Sequence, residues 1–217
     1  MFGNLQFVIY NRKVKIMTFW DKFASLYDLG QALNYKVLKG FEKATEKLVP
    51  EGALVLDTAA GTGRLTFAAA KKAERVICTD LSMPMLREAR KKAAKYKVSN
   101  VEFEVRDIFN LKDNDETYDV VMAGNVLHLL DEPEKALAEL WRVTKKGGKL
   151  LLPTYVLGEK FSSLLKLYKA IGFNPSTNYT PETYGKMLYE CGLGKVKIKT
   201  IEGWLPCCYA VIEKSLI

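Results

Sequence analysis

Residues 54–66 read LVLDTAAGTGRLT, an apolar run that stops at an acid before a turn of small residues. The run has the length and composition of a short buried strand, and a helix is predicted to begin near Arg64. Gly61 and Gly63 allow the loop after this strand to bend tightly and to bring its backbone close to a ligand. The stretch therefore predicts a strand–loop–helix unit of an α/β domain, with Asp57 at the end of the strand.

Further strand-like segments follow this unit, and helical segments separate most of them. Strands are predicted at 53–57, 75–80, 100–107, 118–124 and 149–155, and two closing strands at 195–203 and 207–214. Alternation of strands and helices predicts a parallel sheet that is covered on both faces. The predicted fold class is α/β: a Rossmann-like, doubly wound seven-stranded sheet, mostly parallel with an antiparallel last strand, plus N-terminal helices and a helical lid insert.

The helix boundaries carry capping signals. Helices are predicted at 64–72, from a Ser82 cap to about Lys95, from an Asp131 cap to Thr144, at about 159–171, and from Thr180 to Cys191. Ser, Thr and Asp side chains accept hydrogen bonds from the free amides of a first helical turn. Gly147 and Gly148 are predicted to close the helix that precedes the fifth strand.

The chain is predicted to form one domain behind an N-terminal extension. The extension, residues 1–17, is not a good secretion signal, because it lacks a small-residue cleavage site. The domain at 18–217 is predicted to comprise cap helices at 18–48, a cofactor-binding core at 53–155, a substrate lid at 156–192 and a closing hairpin at 195–214. No stretch of the sequence has the length of a membrane span.

The net charge and the cysteine content limit which classes of partner and metal site the sequence predicts. The formal net charge is +8, but many basic residues lie in runs such as REARKKAAKYK at 87–97, which are typical of solvated helix faces. We therefore do not expect nucleic acid as a partner. The four cysteines form no CxxC pair and there is one His, so no metal site is predicted and the protein is expected to be reduced and cytoplasmic. A homodimer is among the oligomeric states that the sequence leaves open.

Acids stand at the ends of three successive predicted strands: Asp57, Asp80 and Asp107. The carboxyl ends of parallel strands line one crevice, which is where such sheets bind ligands. A dinucleotide would place its pyrophosphate there and would avoid a nearby carboxylate, and its G-x-G-x-x-G fingerprint is incomplete because Thr66 occupies the third position. S-adenosylmethionine carries an ammonium and a sulfonium, which a carboxylate attracts. Asp57 therefore favours S-adenosylmethionine.

The motifs also resemble those of a known family. VLDTAAGTG resembles the first motif of class I S-adenosylmethionine-dependent methyltransferases, D/E-x-G-x-G-x-G, with Ala59 in place of the first glycine. ICTDLS, RDIFNL and YDVVMAGNVLHLL resemble the second, third and fourth motifs of that family. FASLYD at 23–28 is similar to the first helix of the ubiquinone/menaquinone-type C-methyltransferases. The resemblance covers about residues 19–214.

This resemblance implies contacts at the methionine end of the cofactor. Asp57, Gly61 and Gly63 would form the loop under the methionine part. Asn125, just past the fourth strand, would line the methyl-transfer end, and Tyr27 would close the pocket from the N-terminal helix.

At the nucleoside end, the resemblance implies that Asp80 takes the ribose hydroxyls with Leu81 beside the adenine. Asp107 and the backbone of Ile108 would read the adenine edge. Ala59 adds a methyl group where the backbone approaches the cofactor, so we expect the turn to keep a negative φ there or to shift slightly.

The one histidine, His128, is the candidate catalytic residue, because it follows Asn125 by three residues and would orient the acceptor or remove its proton. The alternative is a packed residue at the start of the next helix. The segment Ala123-Gly124-Asn125-Val126 lacks the Asn/Asp-Pro-Pro-aromatic pattern of nucleobase-amine methyltransferases.

The expected function is S-adenosylmethionine-dependent methyl transfer to a small-molecule acceptor at carbon, oxygen or nitrogen. Three alternatives stay open: an NAD(P)-dependent oxidoreductase on a similar fold, a protein or RNA methyltransferase, and a non-catalytic S-adenosylmethionine-binding protein.

Overall fold

The computed structural model of the protein describes residues 19–22, 24–25, 27–28, 34–156 and 175–216. The predicted extension at 1–17 and the predicted helix at 159–171 lie outside these residues. The strands are β1 Leu54–Thr58, β2 Arg75–Asp80, β3 Val101–Val105, β4 Tyr118–Ala123, β5 Thr144–Tyr155, β6 Val196–Ile201 and β7 Cys207–Glu213.

These seven strands form one sheet in the order β3-β2-β1-β4-β5-β7-β6. The first five strands pair in parallel, whereas β7 runs antiparallel to both of its neighbours, β5 and β6. The predicted fold class, with its antiparallel last strand, is confirmed. The strand order reverses between β1 and β4, and this reversal places a crevice at the carboxyl ends of those two strands.

The regular helices are α1 Tyr35–Leu48, α2 Arg64–Ala69, α3 Met83–Tyr96, α4 Pro133–Val143 and α5 Pro181–Glu190, and a 3-10 turn spans Leu127–Leu129. The Ser82 and Thr180 hydroxyls accept backbone hydrogen bonds from the first turns of α3 and α5, at 3.3 and 3.2 Å, so both predicted caps are confirmed. The predicted Asp131 cap is wrong. Glu132 is the residue before α4, and the Asp131 carboxylate instead accepts a hydrogen bond from Ser176 Oγ at 2.8 Å.

Most strand boundaries lie within one or two residues of the predicted ones, and the differences at β5 and β3 change the interpretation. β5 begins at Thr144, directly after α4, rather than at residue 149. Its pairing with β4 shifts register between Thr144 and Lys149, and Gly147 has a φ of +74° there. The glycine pair therefore forms an irregularity inside the strand and does not close the helix. β3 ends at Val105, so Asp107 lies two residues beyond the strand and not at its end.

Apolar side chains bury both faces of the sheet. On one face, α4 contributes Leu137 and Leu140 to a core that also includes Tyr184 of α5. On the other face, α1 packs Leu38 and Phe41 against the sheet. The two cores hold the loops at the carboxyl ends of the strands in place. None of the helices in the described part of the chain has the length and apolar character needed to cross a bilayer.

Candidate active site

A cavity of about 410 Å³ opens at the carboxyl ends of the parallel strands. A recess of about 40 Å³ shares part of its wall, including Tyr27, Ala59 and Asn125. The predicted site residues that line the cavity are Tyr27, Ala59, Gly61, Asp80, Leu81, Ile108 and Asn125. Asp57 lines the recess. The structure thus brings most of the predicted residues together at one site.

Asp80 is fixed at the end of β2 by the backbone. Its Oδ2 accepts a hydrogen bond from the Gly61 amide and its Oδ1 one from the Ser82 amide, both at 2.8 Å. Burial raises the pKa of this carboxyl, and the two amides act in the opposite direction. Each carboxylate oxygen retains a second lone pair, so Asp80 can accept two further hydrogen bonds from a ligand in the cavity.

Asp57 lies in the recess, with only 1% of its surface exposed. Its Oδ2 accepts a hydrogen bond from Thr66 Oγ1 at 2.6 Å, whereas its buried Oδ1 has no hydrogen-bond partner among the described residues. Burial raises the pKa of this carboxyl to about 7, and the charge of Asp80 adds to the rise. A buried polar atom without a partner is costly, and a ligand donor would relieve that cost.

Two further unpartnered atoms lie in the same recess. Arg64 Nε and Asn125 Oδ1 are buried without a hydrogen-bond partner among the described residues. The Arg64 guanidinium is held at its other end by Glu42, 2.7 Å away. The recess therefore presents two acceptors, on Asp57 and Asn125, and one donor. Sequence reasoning missed Arg64, because nothing in its helix-start position indicates which way the guanidinium turns.

Each of the two loops that line the recess holds one residue other than glycine in the left-handed region. Ala59 has a φ of +49° and Asn125 a φ of +54°. Of the two alternatives expected for Ala59, a negative φ or a slight shift of the turn, the negative φ is therefore wrong: the backbone has the left-handed conformation that glycine favours, with the strain that an alanine has there. Asn tolerates this conformation better, because its short polar side chain can hydrogen-bond locally.

Two predicted cofactor residues do not line the cavity or the recess. Gly63 packs away from them, and a Cβ at this position would lie 2.8 Å from the Phe67 ring, so its role in the structure is close packing. Asp107 Oδ1 accepts a hydrogen bond from the Phe109 amide at 3.1 Å. That contact closes the turn that carries Ile108 into the cavity wall.

The N-terminal segment covers part of the cavity through two aromatic residues. Trp20 and Tyr27 both line it, and their rings meet edge to face with centroids 5.5 Å apart. Asp21 accepts a hydrogen bond from Ser82 Oγ at 2.5 Å. Asp28 accepts one from Thr62 Oγ1 at 2.9 Å, so each aromatic residue is followed by an acid that binds a cofactor-side loop. Sequence reasoning found Tyr27 but did not find Trp20 as a residue of the site.

His128, the candidate catalytic residue, lies away from the residues described above. It is buried, with 8% of its surface exposed, and it does not line the cavity or the recess. Its Nδ1 is 3.1 Å from Thr154 Oγ1, and its carbonyl accepts hydrogen bonds from the amides of Ser176 and Thr177. Burial lowers the pKa of the imidazole to about 4. His128 is placed as a packed residue that joins the segment after β4 to residues 176–177.

The rest of the cavity wall is largely apolar, with a charged rim. Met85, Phe109, Leu129 and Leu130 contribute apolar surface. The charged members of the wall besides Asp80 are Arg106, Asp131, Glu132 and Lys135. In the described part of the chain, no three His, Cys, Asp or Glu side chains converge as a metal site would require. This arrangement suits an organic ligand with a flat, apolar part and a few polar groups.

Comparison with known proteins shows which proteins this chain resembles. Residues 55–148 match the family model described as a methyltransferase domain. A demethylmenaquinone methyltransferase of Thermobifida fusca is 34% identical over 140 residues, which are 63% of this chain and 59% of that protein. A ubiquinone/menaquinone biosynthesis C-methyltransferase of Hydrogenovibrio crunogenus is 29% identical over 158 residues, which are 70% of this chain and 62% of that protein. The chain thus spans about 60% of the length of these two curated relatives.

Among solved structures, an S-adenosylmethionine-dependent methyltransferase of Thermotoga maritima superposes with a TM-score of 0.72 at 20% identity. The match covers 91% of this chain and 99% of that chain, and it shows that the two share their fold. The strand order, the motif positions and the family match agree. Residues 55–148 therefore match the methyltransferase-domain family model, and the chain shares the fold of a solved S-adenosylmethionine-dependent methyltransferase.

Proposed function

We propose that the chain is an S-adenosylmethionine-dependent methyltransferase that acts on a small-molecule acceptor. The observation that carries the proposal is the trio of unpartnered buried atoms in the recess: Asp57 Oδ1, Asn125 Oδ1 and Arg64 Nε. The methionine end of the cofactor is an amino acid zwitterion. Its ammonium would donate to the two oxygens and its carboxylate would accept from the guanidinium, so the residues fit the group.

The other cofactor contacts follow from the cavity wall. Asp80 would accept hydrogen bonds from the ribose hydroxyls, and Leu81 and Ile108 would hold the adenine between apolar surfaces. Asp107 would act indirectly, by closing the turn that carries Ile108. Gly61 would set the loop, because its amide binds Asp80. A dinucleotide would instead bring a pyrophosphate towards Asp57, which repels it.

S-adenosylmethionine supplies a methyl group on a sulfonium, which is already a good leaving group. The chain's residues then have to align the acceptor and exclude water. Trp20 and Tyr27 would exclude water by covering the cavity, anchored through Asp21 and Asp28. His128 has no chemical step in this proposal, because its ring lies outside the cavity wall and its pKa of about 4 makes it a weak base.

The acceptor is proposed to be small and partly apolar. The apolar cavity wall supports this class, as do the names of the relatives, which include a demethylmenaquinone methyltransferase and a quinone C-methyltransferase. The substrate-facing parts would be the cap helices at 18–48 and the lid at 156–192. The acceptor atom, whether carbon, oxygen or nitrogen, would be set by those parts.

The test is calorimetric titration of the wild type and Asp80→Ala with S-adenosylmethionine, S-adenosylhomocysteine and NADH. We expect the first two to bind the wild type and to bind Asp80→Ala about 100-fold more weakly, because two ribose hydrogen bonds to a charged acceptor are lost. Asp115→Ala is the matched control, since Asp115 is 74% exposed and lies outside the cavity wall. Binding of NADH alone would contradict the proposal.

Turnover is measured next as methyl transfer to an acceptor panel that begins with demethylated quinols. Release of S-adenosylhomocysteine with a small acceptor is the expected result. Cofactor binding without turnover on any acceptor would indicate a non-catalytic binding protein, and turnover on RNA or protein alone would indicate a macromolecular methyltransferase.

A further inference from the structure

Lysines line one exposed side of α1. Lys36, Lys43 and Lys47 are spaced with Gly40 so that all four lie on one stripe of the helix. The three lysines are exposed, and none of them forms an ion pair with a described residue. Gly40 faces β6, because a Cβ built on it would lie 3.3 Å from Ile201. The lysine stripe therefore borders β6.

The neighbouring face of β6 carries lysines as well. Side chains alternate along a strand, so Lys197 and Lys199 share the face of Ile201, which is the face turned towards α1. Both lysines are exposed. Lys197 lies 3.3 Å from Glu213, and Lys199 forms no ion pair with a described residue. We call the continuous surface formed by Lys36, Lys43, Lys47, Lys197 and Lys199 the basic face.

Exposed aromatic residues stand at one end of the basic face. Trp204, in the loop between β6 and β7, is 52% exposed, and Tyr35, the first residue of α1, is 59% exposed. The loop is fastened to the start of α1, because Asn34 Nδ2 donates to the Leu205 carbonyl at 2.9 Å. Tryptophan and tyrosine at the edge of a lysine-rich surface are the composition that proteins use at the boundary between water and lipid.

A purely structural account explains only part of this surface. β6 is an edge strand, and lysines on an edge discourage pairing with other chains. That reason covers Lys197 and Lys199 but not the lysines of α1, which lie on a helix. It also does not explain a half-exposed indole, which edge protection would avoid. The acidic groups beside the face on β6 and β7 are Glu202, which is exposed, and Glu213. On α1 they are Glu42, which pairs with Lys39 and Arg64, and Glu46, which pairs with Lys71.

From this surface we infer that the chain docks on anionic lipid bilayers, with the lysines against the lipid phosphates and Trp204 in the interfacial layer. Each lysine held near such a surface strengthens binding about fivefold. Nucleic acid also presents phosphates, but proteins that track a strand interleave aromatic residues with the basic ones. Here the aromatic residues stand together at one end of the face.

Docking in this way would orient the candidate active site. β6 runs parallel to β5, since both are antiparallel to β7, so Trp204 follows β6 at the same sheet edge where the cavity opens. The edge that carries the cavity would therefore turn towards the bilayer. The docking itself does not depend on methyl transfer.

The test is co-sedimentation of the full chain with vesicles of phosphatidylcholine, with and without phosphatidylglycerol. The wild type is expected to bind only the anionic vesicles and to be released by high salt. The triple variant Lys43→Glu/Lys47→Glu/Lys199→Glu is expected to bind about 100-fold more weakly. The control triple Lys95→Glu/Lys112→Glu/Lys186→Glu, at exposed positions off the basic face, makes the same change in net charge, from +8 to +2, and is expected to keep most of the binding.

Trp204→Ser is a second variant, which leaves the charge unchanged and is expected to weaken vesicle binding about tenfold. Equal losses in the two triple variants, no loss in Trp204→Ser, or no vesicle binding by the wild type would each overturn the inference. So would tighter binding to duplex DNA or to RNA that the first triple variant abolishes. Titration with S-adenosylmethionine, which all the variants are expected to bind like the wild type, keeps this result separate from the proposed function.

Discussion

The recess and the 3-10 turn that follows β4 bury polar side chains in opposite ways. In the recess, Asp57 Oδ1, Arg64 Nε and Asn125 Oδ1 are buried without a partner among the described residues. Beyond the loop after β4, His128 is buried beside Thr154 Oγ1, and its carbonyl accepts two amide hydrogen bonds. Native proteins rarely leave buried polar atoms unpaired unless a water or ligand completes them. The difference therefore separates a binding position from a structural one, although sequence alone nominated both.

The sharpest test of this comparison is to remove the charge of Asp57 and the imidazole of His128 in separate variants. Asp57→Asn is expected to weaken binding of S-adenosylmethionine about 1000-fold, because the buried ammonium loses its charged partner. His128→Asn is expected to leave the dissociation constant unchanged. Calorimetric titration of both variants measures this. A comparable loss in the two variants would contradict the distinction between the recess and the position of His128.

His128 is expected to affect how the free energy of unfolding depends on pH. Burial lowers the pKa of His128 from 6.5 to about 4. The unfolded chain therefore binds a proton that the folded chain refuses between these values, so the folded state loses stability as the pH falls through that window. The loss amounts to about 3 kcal/mol once the pH is below both values. Urea unfolding of the wild type and His128→Gln across this range measures it, and parallel pH profiles for the two proteins would show that the imidazole carries no such penalty.

The contribution of Asp57 to stability changes with pH in the opposite direction. Burial raises the pKa of its carboxyl from 3.8 to about 7, so between these values the folded chain holds a proton that the unfolded chain releases. The stability of the ligand-free protein is therefore expected to fall as the pH rises through that window.

Cofactor binding needs the ionised carboxylate, so the affinity for S-adenosylmethionine is expected to weaken about tenfold for each pH unit below 7. The measurement is the dissociation constant as a function of pH in the wild type and in Asp57→Asn. A pH-independent wild type, or an Asp57→Asn variant with the same slope, would assign the dependence to another group.

The sequence predicted the strands that position the site better than it predicted the contacts inside the site. β2 was predicted at its observed bounds, because a β-branched and apolar run ending in an acid has few alternatives. β5 was predicted too short, since Gly147 and Gly148 are typical of a helix end and only the pairing with β4 shows that they lie within a strand. The positions of Asp57 and Asp80 followed from the strand ends.

What the sequence could not provide is the state of individual atoms. Whether Asp57 Oδ1 is free, or whether Arg64 turns its Nε into the recess, depends on contacts with Thr66 and Glu42 that only the folded chain makes. The same holds for His128, whose neighbours Ser176 and Thr177 come from a distant part of the sequence. Backbone strain was also beyond reach, and the expectation of a negative φ at Ala59 was wrong for that reason.

Ala59 and Asn125 allow the smallest effect to be tested, because each loop holds a residue other than glycine in the left-handed region. A left-handed alanine costs about 1 kcal/mol, whereas asparagine adopts the conformation with less strain. Ala59→Gly is therefore expected to raise the free energy of unfolding by about 0.5 kcal/mol, after the greater chain entropy of glycine in the unfolded state is deducted.

Asn125→Gly is the matched comparison. It is expected to gain no stability and to weaken S-adenosylmethionine binding, since it removes the Oδ1 acceptor, whereas Ala59→Gly keeps or improves that binding. Urea unfolding and titration of the two variants separate backbone strain from ligand contact. A destabilised Ala59→Gly would mean that the Ala59 methyl group, packed against the core, contributes more than the strain that it imposes.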